Sequence, residues 1–472
     1  MVTGNYLPFN FHSFFFLNVF FYGGAFMVRL FGFFICAFPF LVASLSCDST
    51  EPPPIVPPPS PDLRKITLSV EDVSCIEVWL NIKADSISFP SEIILLKDTV
   101  AQTISLCCSD TTLYIDSLLP NKTYAYKAIL AADTTIKSET VTAQTLDTTS
   151  HNFSWQSWEF GEHSSSVLYD VAIIDENNIW AVGEIYMNDS LGNPDPNAYN
   201  AVHWDGSKWE LKRIMFYTIC GQQNLSSYPA RSIWVFNEND IWIGVDGDQI
   251  TRLENEVQTT TICLPWSFTI NKIWGTSSED LYVVGNGGNI ARYFKPIGHW
   301  QKLDGDTNLD IYDIIGSVIE ANQYEVLCVA AKQFVSTEKK VFKIIGNTIY
   351  ELSANGIPTD IKSIWFKSNK KYYVVGSGMF SKTNINSTQP WKSIWEGITE
   401  YYTNSIDGNN YNDIIVCGAY GEMIHFNGTE WKSFREELQI FDGSYLEVKI
   451  KGNLVVAVGY NSSDAIVTIG TR

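Results

Sequence analysis

The chain has 472 residues, 45% of them apolar, and carries 32 basic against 52 acidic side chains for a net charge of −20. That length accommodates about two or three domains with cores of their own. The acidic balance repels phosphate backbones and anionic headgroups, which argues against nucleic acid as a partner and suits a soluble exported chain.

The first 46 residues contain one charged side chain, Arg29. From Met27 the text is MVRLFGFFICAFPFLVASLSC: a basic residue, an apolar run Leu30 to Leu45, and small residues before Cys47. This is the layout of a secretory signal, and Met27 is an alternative start. The segment resembles a bacterial lipoprotein signal, with Leu45 and Ser46 on its pattern and Ser44 where that family has Leu. The resemblance makes Cys47 the lipidation site and residues 1–46 the targeting segment. An uncleaved anchor, or cleavage after Ser46 with Cys47 incidental, are the other readings. Residues 47–63 then run CDSTEPPPIVPPPSPDL, with seven prolines that favour extended geometry and preclude a core, so they read as a stalk or plain linker.

Residues 64–147 alternate as strands, among them ITLSVEDV, CIEVWLNIKA, EIILLKD and TYAYKAILA. Within them LLPNKTYAY resembles the hairpin corner of a fibronectin type III domain. The resemblance makes Tyr124 the corner tyrosine whose hydroxyl ties to upstream backbone, and Trp79 the core tryptophan of a small sandwich serving as a spacer. Apart from Cys36 and Cys47, seven cysteines remain. Cys75 could bridge Cys107 or Cys108 within the sandwich. Cys220 and Cys263 sit in the similar contexts FYTICGQ and TTTICLP and could bridge neighbouring repeats, while Cys328 and Cys417 lie in apolar strands and read as buried thiols. No C-x-x-C pair occurs, so no zinc site or other metal or cofactor is indicated.

From Leu168 onward an apolar strand, a short turn and a second apolar strand ending near V-G recur seven times, as in LYDVAIIDENNIWAVG, NKIWGTSSEDLYVVG and YLEVKIKGNLVVAVG. Gly183, Val245, Gly285, Ala330, Gly376, Gly418 and Gly459 fall 62, 40, 45, 46, 42 and 41 residues apart. A period near that of a four-stranded blade predicts a seven-bladed β-propeller over residues 152–472, in an all-β chain. Outer strands with Asp205-Gly206 and Asn427-Gly428 read as tight hairpins with positive φ at both turn positions, each followed by a tryptophan. Those tryptophans, Trp209 and Trp431, with Trp300 in the third repeat, are expected to seal the gaps between blades. The last repeat lacks an outer strand, and FSWQSWEFGE (153–162) precedes the first, so this N-terminal strand is expected to complete the seventh blade and close the ring. The pattern resembles bacterial secreted propellers with DIWAVG-type repeats. No sugar-transfer residues accompany the resemblance.

Loops sort by face. The turns carrying Asp175, Glu176, Glu238, Asp240, Glu279 and Asp280 read as solvated hairpins without calcium-loop spacing. The opposite face holds an insertion at residues 184–201 and the crossings 221–230 and 264–269. Tyr186, Asn188, Asp189, Asp195, Asn197, Tyr199 and Trp266 there mix aromatic faces with amides and carboxylates, a candidate binding surface for sugar or peptide. His203 and His425 occupy the same place in their repeats, which reads as repeat equivalence, and no nucleophile, zinc-protease or phosphate-loop motif occurs. No catalytic residue is assigned. The reading is an exported, lipid-anchored cell-envelope protein, at the outer surface or in the periplasm, binding a carbohydrate or protein ligand. The alternatives are a carbohydrate-active enzyme using two carboxylates over the channel, and a structural scaffold.

Overall fold

The structure is a computed structural model that describes residues 62–335 and 337–472. The targeting segment, Cys47 and nearly all of the proline stretch lie outside them. Asp62–Arg472 form one compact unit that is nearly all β.

Seven strands come first: β1 (Lys65–Val73), β2 (Val78–Asp85), β3 (Ser91–Lys97), β4 (Val100–Leu106), β5 (Asp110–Ile115), β6 (Thr123–Leu130) and β7 (Val141–Gln144). They form two sheets, ordered β1-β2-β5 and β4-β3-β6-β7, over one core. Period-two alternation sends Val78, Leu80, Ile82 and Ala84 of β2 into that core. The Leu119 amide donates to the Tyr124 hydroxyl at 2.9 Å, the tie to upstream backbone expected of that tyrosine. Trp79 departs from expectation. The same alternation turns it to the outer face of its sheet, where it stacks on Tyr411 of the repeat region with ring centroids 5.3 Å apart. Its burial, at 2% exposure, comes from that contact. The seam continues in ion pairs Lys367–Asp72 (3.1 Å), Lys370–Glu71 (2.5 Å) and Lys371–Glu77. The Cys75 bridge does not form: Cys75, Cys107 and Cys108 are free. Antiparallel register places Val78 opposite Ile115 and Lys83 opposite Asp110, so Cys75 and the Cys107–Cys108 turn sit at opposite ends of the sheet. Five register steps span roughly 17 Å, far beyond a disulfide's reach.

β8 (Ser154–Phe160) opens the larger part and pairs antiparallel with the last strand, Asp464–Thr471, from Ser154 opposite Thr471 to Phe160 opposite Ala465. Between them lie the repeats, and among the described residues seven antiparallel four-stranded sheets follow one another, the last completed by β8. The first strand of each sheet packs against the first strand of the next, and that of the last, Gly443–Lys451, against that of the first, Val167–Asp175. This closed succession of sheets is a β-propeller arrangement. Apolar clusters fill the spaces between neighbouring sheets. The outer tryptophans sit in these spaces as expected. Trp209 of the first sheet packs against Trp158 and Phe160 of β8, and Trp431 of the sixth meets Tyr373 of the fifth.

Four local features rest on the chain's details. The Asp-Gly and Asn-Gly hairpins are four-residue loops, with Trp204 paired to Trp209 and Phe426 to Trp431. Only Gly206 and Gly428 there have positive φ, because the Asp205 and Asn427 side chains accept amide hydrogens from the turn. Asp240 and Asp280 are not solvated turn residues. Each opens a second strand and pairs with a cation on the third, Arg252 at 2.6 Å and Arg292 at 2.8 Å. His203 and His425 fill the same place, bonded to Asn178 and Asp413, so the equivalence read from the repeats is a shared cross-strand link. Cys220 and Cys263 are disulfide-bonded, tying the crossing after the first sheet to the outer strand of the second.

Candidate functional site

Each innermost strand breaks register near its start. Pairing skips Tyr169, Arg231, Asn271, Tyr312, Lys362, Asn404 and Leu446, leaving one bulged residue per sheet. A bulge bends its strand and re-aims a side chain. Here all seven side chains line one cavity of about 260 Å³ at the mouth of the central channel. The recurrent V-G answers this geometry. A Cβ on Gly183, Gly285, Gly376, Gly418 or Gly459 would stand 1.9 to 2.5 Å from the carbonyl oxygen two residues before the bulge. Since innermost strands start at this mouth and the small sandwich docks on first-to-second-strand turns, through Lys370, Tyr411 and Asn412, the mouth faces away from the sandwich.

Behind the bulges lies a second tier, one residue further along each strand. Asp170 accepts from Ser232 Oγ at 2.8 Å and from the Ile233 amide at 2.9 Å. Lys272 reaches Asp170 at 2.9 Å and Glu447 at 2.7 Å, joining the third sheet to the first and seventh. Ser405 donates to Glu447 at 2.7 Å and Ser363 to Asp313 at 2.6 Å, so every innermost strand is tied to another. Burial pushes Glu447 up, but the Lys272 and Lys449 ammonium groups outweigh it and bring it down to about 2. Burial likewise opposes the charge on Lys272, and Asp170 and Glu447 outweigh it and raise its pKa. Two carboxylates thus converge on one ammonium, but each is saturated with donors. That arrangement clamps strands, although burial raises the Asp170 pKa despite the Lys272 ammonium beside it.

The mouth itself is less satisfied. The Tyr169 hydroxyl donates to Glu184 at 2.6 Å, and the Arg231 guanidinium lies 3.9 Å over the Tyr169 ring. Arg231 also pairs with Asp246 at 2.6 Å, yet its Nε is buried without a hydrogen-bond partner. Lys362 Nζ stands 3.4 Å over the Tyr312 ring, and among the described residues no carboxylate lies within ion-pair distance of it. Desolvation pushes it down to about 8. A larger groove, about 570 Å³ between the third and fourth sheets, opens on the opposite face, but its charges Asp280–Arg292 and Glu325–Lys343 are already paired.

No family model and no curated protein matches this chain. Among solved structures it is similar to β-propeller proteins. YCF48 bound to D1 peptide shares 13% identity at a TM-score of 0.49, over 67% of this chain and 97% of that one. A catalytically inactive virginiamycin B lyase from Staphylococcus aureus shares 10% at 0.48, over 68% and 100%. The WD40 β-propeller domain of Doa1 shares 11% at 0.43, over 67% and 97%. At such identities a likeness assigns no ligand.

The insertion residues singled out in the sequence mostly hold their own loop. Asp189 accepts from the Leu191 and Asn193 amides, and the Asn188 amide donates to Glu162. Asp195 pairs with Arg213 at 2.5 Å, whose guanidinium lies over Tyr199 and bonds the Asn197 carbonyl. Trp266 packs in the cluster between the second and third sheets. Tyr186 does not line the mouth but donates to the Glu184 carboxylate that also holds Tyr169. The bulged residues went unrecognised because no motif marks them. Their only trace is positional: aligned repeats read Y-D-V, R-S-I, N-K-I, Y-D-I, K-S-I, N-S-I and L-E-V, with two channel-facing positions before the first core residue.

Proposed function

We propose that this chain is a binding protein of the cell envelope, exported and lipid-anchored at Cys47, whose seven-bladed propeller takes a protein or carbohydrate ligand at the channel mouth. The observation that carries the reading is the set of seven bulges delivering one side chain per sheet into a single cavity. The fibronectin type III-like reading of residues 64–147 draws support from the three-on-four sheet order and the Tyr124 tie. A spacer of that kind, docked away from the mouth, leaves the mouth open. Export is supported by the Arg29-led apolar segment before Cys47 and by the Cys220–Cys263 disulfide, a bond of oxidising compartments.

Peptide and glycan arrays probed with the wild type and with Asn271→Trp, which fills the mouth, test the binding role. A signal lost in the variant supports it; silence on both arrays, or an unchanged signal, refutes it. Mass spectrometry of the mature N-terminus tests the anchor, and an unmodified Cys47 refutes it.

A further inference from the structure

Two cations share the mouth without a full set of partners, although the chain carries 52 acidic side chains. A buried donor left unpaired is costly, more so if it is charged, so such an arrangement persists where a ligand completes it. We propose that the channel mouth recognises a single carboxylate, presented by a polypeptide ligand, through Lys362 Nζ and the Arg231 guanidinium. This rests on the mouth being the binding site.

The geometry narrows the chemistry. Tyr312 and Tyr169 each give a ring face to one of the cations, at 3.4 and 3.9 Å, which fixes where the cations point and takes from a sugar ring the surfaces it would stack on. A cavity of about 260 Å³ falls below the roughly 300–1,000 Å³ typical of pockets that enclose a whole small molecule. It suits an end group or one acidic side chain. Asp170, Asp313 and Glu447 line the floor of the same cavity, so a dianion such as phosphate meets more repulsion than a monocarboxylate does. The overall charge of −20 rejects polyanions, and only a local anion that reaches the mouth gains the two cations.

The groups acting on the Lys362 ammonium are Asp310, Asp313 and Asp360, which favour its charge, Arg231, which opposes it, and the Tyr312 ring beneath it. A carboxylate binds the charged form, so affinity is full below about 8 and is lost as pH rises through that value. With the lysine mostly charged at pH 7 and mostly neutral at pH 9, the loss over that interval is about tenfold.

The test is saturation-transfer NMR on the purified chain with N-acetylglycine, its methylamide, glucuronate and inorganic phosphate. Preferential binding of N-acetylglycine, weakened about tenfold or more by Lys362→Met and by Arg231→Met and about tenfold from pH 7 to 9 in the wild type, supports the proposal. The pH series needs no variant, so a misfolded substitution leaves the test intact. Equal binding of the methylamide, or affinity unmoved by pH, overturns the carboxylate assignment. Tighter glucuronate or phosphate binding overturns the choice of a peptide carboxylate. In each of these cases an array signal still lost in Asn271→Trp leaves the mouth a binding site. No binding of any probe, with silent arrays, removes both readings.

Discussion

Gly459→Ala tests whether the glycine near the end of the second strand is dictated by the bulge it faces. Its new Cβ would stand 1.9 Å from the Ser444 carbonyl oxygen and 2.9 Å from the Ser444 carbonyl carbon and Tyr445 Cα. An ordinary carbon–oxygen contact needs more than 3 Å, so the strand carrying Ser444 must move by about 1 Å, against ladders on one side and core packing on the other. Overpacking of that kind costs about 1–3 kcal/mol, and a strained ladder hydrogen bond adds about 1 kcal/mol, giving about 3 kcal/mol in all. A unit of about 400 residues unfolding together has an entropy near 0.8 kcal/mol/K, so the melting temperature falls by roughly 4 °C. Gly247→Ala is the control, since its Cβ meets nothing nearer than 3.5 Å. Scanning calorimetry reads both variants. If Gly459→Ala melts with Gly247→Ala and the wild type, the bulge does not set the glycine, and the explanation of the V-G repeat falls.

Cys220→Ser with Cys263→Ser opens a loop of sequence separation 43, and loop entropy gives a destabilisation of about 4 kcal/mol, read as a lower denaturation midpoint that reducing agent reproduces in the wild type. Glu447→Gln strips one carboxylate from the buried Lys272 and Lys449 ammonium groups and is expected to cost about 3–5 kcal/mol, whereas a midpoint within error of wild type would deny the clamp its structural role. Burial lowers the pKa of His151, His203 and His425, so the unfolded chain binds the extra protons and stability falls as pH drops below about 6.5. Melting curves at pH 7.5 and 5.5 check this, and the slope should be shallower in His425→Gln.

Local rules gave the sequence its power over the ring. Strand pairs recurring at about 40 residues, an orphan strand at 153–162 and a final repeat missing one were enough to foresee the β8 pairing, because a sheet edge left open must find a partner. The Tyr124 tie and the inter-sheet tryptophans were equally local. Trp79 shows the opposite failing. The alternation Val78, Leu80, Ile82 already put it on the outer face, and the family resemblance outweighed that pattern; only its stacking on Tyr411, more than 300 residues away, explains its burial. The mouth was illegible for a related reason. A bulge is one unpaired residue with no composition of its own, and its visible mark, the glycine opposite, sits on another strand. Arg231 and Lys362 are unremarkable in the text, and closure of the ring brings them to one cavity. Short-range periodicity therefore determined which strands form and how the ring closes, whereas the meeting of side chains from seven separate strands is a property of the closed ring, decided by tertiary structure alone.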